Sequence, residues 1–166
     1  RGPAPAERPP DVRALVVAWL EHLDRERNCS PHTLRAYAGD LERFVAFLAE
    51  YLGREARAID PAEVDALAVR SFLAWLSRRG TARRSQGRAL AAVRGLFRWA
   101  TGEGRLPANP AATVRTPKAG KSLPEHLRPG EIEALLAAPE GDEALARRDR
   151  AALELLYATG LRVSEL

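Results

Sequence analysis

Apolar residues recur at helical spacing through most of this chain, and no stretch alternates with period two for long enough to predict a strand. A first helix is expected from Asp11 to about Arg27, with Asp11 as N-cap and Val12, Leu15, Val16, Trp19 and Leu23 along one side. A second opens with Ser30 at N-cap and Pro31 at the first helical position, and carries Leu34, Tyr37, Leu41, Phe44 and Leu48. Asp60-Pro61-Ala62-Glu63 reads as the start of a third, with Val64, Phe72, Trp75 and Leu76 inward and a stop before Gly80. A fourth runs from about Ala82 to Thr101. Four helices with short connections predict an all-α bundle.

The fourth helix separates its residues sharply. At about 100° per residue, with Arg83 at 0°, Arg94 falls near 20°, Arg98 near 60°, Arg84 near 100° and Arg88 near 140°. Leu96, Ala89, Ala100, Val93, Phe97 and Leu90 fall between about 220° and 340°, so the two arcs do not overlap. Gly87, Ala91 and Gly95 lie within the arginine arc, which predicts a small-residue floor open to a ligand. Glycine inside a helix costs ~1 kcal/mol relative to alanine, so two on one face call for a reason.

Charge sharpens this picture. Residues 1–120 hold 20 Arg/Lys against 13 Asp/Glu, whereas residues 121–166 hold 6 against 9. No acid occurs between Ala66 and Gly102, where eight arginines do: Arg70, Arg78, Arg79, Arg83, Arg84, Arg88, Arg94 and Arg98. A compositional preference for Arg explains 24 of the 26 basic residues being Arg, but not the missing acids. Solvated faces mix both signs, so a polyanion such as DNA is the expected partner. The longest apolar run, Ala14 to Leu20, is seven residues, against the ~20 needed to cross a membrane. Cys29 is the single cysteine, so no internal disulfide is possible. No signal-peptide pattern opens the chain, and a cytoplasmic location is expected. It begins at Arg1 and lacks methionine, which points to a start further upstream.

Domain organisation follows from the breakers. Residues 1–10 are proline-rich and expected as a disordered tail, residues 11–103 form the bundle, and 104–124 read as a basic linker. That linker contains Pro107, Pro110, Pro117 and Pro124 with Lys118 and Lys121. In residues 125–166, short helices are expected over Arg128 to Ala138 (Ile132, Leu135, Leu136) and over Ala146 to Thr159. The second has Ala152, Leu153, Leu156 and Tyr157 inward and Gly160 as its stop. A piece this size is not expected to fold alone.

Several segments, in this order and spacing, carry a resemblance. Ser30-Pro31-His32-Thr33-Leu34-Arg35-Ala36-Tyr37, then Asp40-Leu41 and Phe44, resembles the second helix of the core-binding domain of Xer-type tyrosine recombinases and integrases. Arg88, Leu90, Ala92-Val93-Arg94 and Leu96-Phe97 resemble its fourth helix, and Asn109-Pro110, Pro117-Lys118 and Leu123-Pro124 its interdomain linker. Arg148-Asp149-Arg150-Ala151-Ala152-Leu153 and the closing Gly160-Leu161-Arg162-Val163-Ser164-Glu165-Leu166 resemble the start of the catalytic domain. The resemblance implies a SAM-like four-helix core-binding bundle followed by the first helices of a truncated catalytic domain.

It also implies a chemistry: a tyrosine attacks a DNA phosphodiester to form a 3′-phosphotyrosine, with no cofactor or metal. Arg162 matches the first arginine stabilising the reacting phosphate, with Glu165 in support. Arg83, Arg84, Arg88, Arg94, Arg98, Thr33, Arg35 and Lys118 are the expected contacts to double-stranded DNA. The intact recombinase is expected to act as a homo- or hetero-tetramer on two sites, in chromosome dimer resolution or integration. The family's β-hairpin lysine, His-x-x-Arg, later His or Trp and nucleophilic tyrosine all follow the Arg162 motif, and none is present. His32-Thr33-Leu34-Arg35 spells His-x-x-Arg but lies in the core-binding pattern, and Tyr37, Tyr51 and Tyr157 read as core. This chain alone is therefore expected not to cut DNA. The alternatives are a stand-alone DNA-binding module or regulator, and a helical adaptor whose arginine face meets an acidic protein.

Overall fold

A computed structural model describes residues 11–25, 29–118, 120 and 126–166, all helix, turn or coil with no strand among them. The expected tail at 1–10, and Lys121, Leu123 and Pro124, lie outside the described residues. The chain divides into two compact units, 1–120 and 121–166.

In the first unit, α1 (Val12–Arg25) starts where the Asp11 carboxylate accepts the Ala14 N–H at 2.8 Å, and the Val12 N–H donates to Ile59 O at 2.9 Å. α2 (Pro31–Leu52) is capped by Ser30, whose hydroxyl accepts the Thr33 N–H, and stops at Gly53 with φ +63°. The third helix begins later than its sequence suggests. Asp60 and Glu63 do make reciprocal capping bonds, but around one 3-10 turn, Pro61–Glu63. Val64 is extended and buried, and Asp65 then accepts the Ala68 N–H at 2.7 Å to start α3 (Ala66–Arg78). Two capping signals stand five residues apart, and burial of Val64 from an extended backbone breaks the helix between them. α4 (Arg83–Gly102) follows Gly80, which turns the chain at φ +72°.

α2 packs against α1, α3 and α4. Its Phe44 meets Phe72 edge-on at 5.0 Å and Phe97 at 6.3 Å, joining three helices at one buried aromatic cluster. All six apolar residues assigned to the inner arc of α4 are buried. Leu106, Ala111 and Val114, in the stretch expected as the first half of a linker, are buried in the same core.

The second unit contains α5 (Pro129–Ala137) and α6 (Ala144–Thr159), which ends at Gly160 with φ +66°. Arg150 ties the turn between them by donating to Pro139 O at 2.9 Å. Neither helix has a buried residue. Tyr157, expected inward, is instead 65% exposed.

Candidate nucleic-acid interface

The arginines of α4 share a face but not a state. Arg83, Arg84 and Arg98 are exposed and make no hydrogen bond or ion pair with the described residues. Arg88 donates through Nε to Asp40 Oδ2 at 2.8 Å and through NH2 to Oδ1 at 3.3 Å. That hydrogen bond, with the carboxylate's charge, raises the Arg88 pKa above its ordinary value, so the guanidinium stays charged. Arg94 is half-buried and donates to two carbonyls, Ala111 O at 3.2 Å and Val114 O at 2.6 Å. Asn109 completes that clamp: its amide donates to Arg94 O, and its carbonyl oxygen accepts the Ala111 N–H.

Asp40, read from the sequence only as part of the second-helix pattern, is the partner that holds Arg88. It is fully buried, and it also accepts from Arg43 NH2 at 2.6 Å, while Arg43 Nε donates to Gly39 O. A buried carboxylate is tolerated only when paired and hydrogen-bonded. The signal was available: Asp40 lies three residues after Tyr37 and four before Phe44, on the stripe that faces the core.

The expected glycine floor is corrected as well. A Cβ at Gly95 would sit 2.8 Å from Trp19 Cζ2, so this glycine makes room for an indole ring while still lining an open groove beside α4. At Gly87 a Cβ would meet Thr116 Cγ2 at 3.5 Å, an ordinary contact. Ala91 stays exposed.

Beside α4 runs a groove of about 690 Å³, lined in part by Trp19, Thr33, Tyr37, Arg94, Arg98 and Trp99. Its walls are stacked rings: Trp19 on Tyr37 at 5.7 Å and His22 on Trp99 at 5.5 Å. The groove brings Thr33, Arg94 and Arg98 together from two helices. Thr33 lies at the capped start of α2, its hydroxyl 2.9 Å from that of Ser30. Arg35, one turn into α2, is exposed with NH2 2.9 Å from His32 Nδ1, and Lys118 is exposed. Arg79, also in the acid-free stretch, lies over the Trp75 ring at 3.9 Å and 3.6 Å from Glu50, so its charge is locally matched.

In the second unit, the Arg162 side chain is 80% exposed. Its backbone N–H donates to Glu165 Oε2 at 2.9 Å and its NH1 to Oε1 at 3.0 Å, so Glu165 holds both ends of the residue in one turn.

A four-helix bundle with a basic helix face defines the class. Residues 16–104 match the family model of the phage integrase N-terminal SAM-like domain, and the chain belongs to that family. It is similar to a tyrosine recombinase XerC of Pelobacter propionicus, with 47% identity over 91% of this chain and 49% of that protein. It is also similar to a tyrosine recombinase XerD of Pseudomonas aeruginosa, with 39% identity over 92% and 49%. The chain thus spans about half the length of the curated relatives it matches. Among solved structures, a lambda integrase dimer bound to a COC′ core site matches with a TM-score of 0.67. That match covers 92% of this chain and 40% of the other at 20% identity, a likeness of fold.

Proposed function

We propose that this chain grips duplex DNA as part of a site-specific tyrosine recombinase. α4 and the start of α2 face the DNA, with Arg83, Arg84, Arg88, Arg94, Arg98, Thr33, Arg35 and Lys118 as the contact set. The observation that carries this reading is the α4 face itself, where three exposed arginines, Arg83, Arg84 and Arg98, make no ion pair with any described residue. Such a face raises the local concentration of a polyanion and releases counterions when it binds. The Xer relatives and the integrase-like fold support the same reading.

Arg162 is assigned to the reacting phosphate. Its guanidinium suits two non-bridging oxygens, and Glu165 would hold it in orientation while charge develops on phosphorus. The phosphotyrosine step, the tetramer on two sites, and a role in chromosome dimer resolution or integration in the cytoplasm belong to the proposed parent activity. The 166 residues include no His-x-x-Arg or tyrosine after Arg162, so we expect this chain to bind DNA without cutting it.

The test is titration with duplex DNA at several salt concentrations. Each phosphate contact contributes about −0.9 to the slope of log K against log salt. A chain with Arg83, Arg84 and Arg98 all changed to Ala should show a slope shallower by up to about 3. A parent chain with no salt dependence refutes the DNA reading and favours an adaptor that meets a protein.

A further inference from the structure

The DNA face carries two kinds of arginine, and the difference assigns them different tasks. Arg83, Arg84 and Arg98 are free to follow an acceptor wherever it lies. Arg88 is not. A guanidinium has five N–H donors in a rigid plane, and Arg88 commits the edge formed by Nε and NH2 to Asp40. The opposite edge, NH1 with the second hydrogen of NH2, is left as a two-donor fork on a side chain that is 46% exposed.

Asp40 cannot swing with its partner. It is fully buried on α2, it also accepts from Arg43, and Arg43 is itself fastened to Gly39 O. The plane of the Arg88 fork is therefore set by the protein core. Phosphates are well served by mobile charges, because they recur along both strands and carry no sequence information. A fixed planar fork suits a pair of acceptors that occurs in one plane and at one kind of base, and guanine N7 and O6 are that pair.

We propose that Arg88 reads a guanine edge in the DNA bound to this face, with Asp40 as its positioning residue. The proposal rests on the DNA reading above and goes beyond it in dividing sequence readout from phosphate contact.

The experiment is a binding selection of the full chain against duplexes with a randomised central segment, followed by sequencing of what is retained. The parent, Arg88→Lys, Asp40→Asn and Arg98→Ala chains are run side by side, with salt titrations of each. The parent should favour guanine at one position. Arg88→Lys keeps the charge beside Asp40 but loses the planar fork, and should reduce that preference about tenfold, the scale of one bidentate base contact. Asp40→Asn should do the same, with the salt slope of both variants unchanged. Arg98→Ala should weaken all duplexes alike and flatten the slope. Retention of the guanine preference in Arg88→Lys overturns the proposal. So does a uniform loss across sequences, which would make Arg88 a phosphate contact, or a parent that binds every duplex alike. A parent that binds no duplex defeats the DNA reading itself. If Asp40→Asn melts below the assay temperature, Arg88→Lys alone decides.

Discussion

Changing Arg88 to Ala should destabilise the bundle, although Arg88 lies on the surface of α4. The substitution removes two of the three charge-assisted hydrogen bonds that Asp40 accepts, leaving the one from Arg43. Removing one partner of a fully buried pair costs about 3–5 kcal/mol. Two features lower that figure. Arg88 is 46% exposed, so water can reach part of the vacated space, and Arg43 remains on the carboxylate. An under-satisfied buried group with one good partner left costs about 1–3 kcal/mol, and about 2 kcal/mol is the expected loss. For a unit of this size that lowers the melting temperature by roughly 6–10 °C. Thermal unfolding followed at 222 nm measures it, with helical content at low temperature unchanged. The double variant Arg88→Ala, Asp40→Asn should recover part of the loss, because a neutral amide is less penalised than a stranded carboxylate. A single variant that melts within about 1 °C of the parent refutes the reasoning, since Asp40 would then not depend on Arg88.

Two further outcomes are expected. Gly95→Ala should lower stability by up to about 2 kcal/mol, because the clash with Trp19 costs about 1–3 kcal/mol against the ~1 kcal/mol gained in helix propensity. A rise in melting temperature would show that Trp19 moves aside freely. Glu63 is held below the usual carboxylate range, first by the hydrogen bond from Arg54. Its stabilisation is therefore present above the ordinary carboxylate pKa and lost as pH falls through the lowered folded-state value. Glu63→Gln should reduce the urea midpoint at pH 7 and match the parent at strongly acid pH, whereas parallel curves across that range would dismiss the pair as a contributor.

Much of the bundle was legible because burial imposes a period on the chain. Val12, Leu15, Val16, Trp19 and Leu23 all lie buried on α1, and Ser30 with Pro31 opens α2 where hydroxyl capping and a fixed proline φ require. Period shows which way a residue points on its own helix, but not what stands opposite. Arg88 and Arg94 were correctly placed on one face, yet their partners come from α2 and from the 109–114 turn, 48 and 17–20 residues away. The same blindness made Gly95 look like a floor, since Trp19 reaches it from another helix. It also turned Tyr157 inward, where the structure leaves it exposed. Asp60 misled for a different reason. A capping pattern specifies that a turn begins, not that it continues, and Val64 ended it.

The Arg94 clamp also moves the border of the folded unit. Its two hydrogen bonds to the Ala111 and Val114 carbonyls, with Asn109 bonded back to Arg94 O, hold the 109–114 turn against α4. Leu106, Ala111 and Val114 are buried there with the bundle core. A piece cut at residue 103 would leave the surface beneath those three side chains open to water, at a cost that grows with the apolar area uncovered. Arg94 thus marks where the bundle can be severed without loss: beyond Val114, and not at the end of α4.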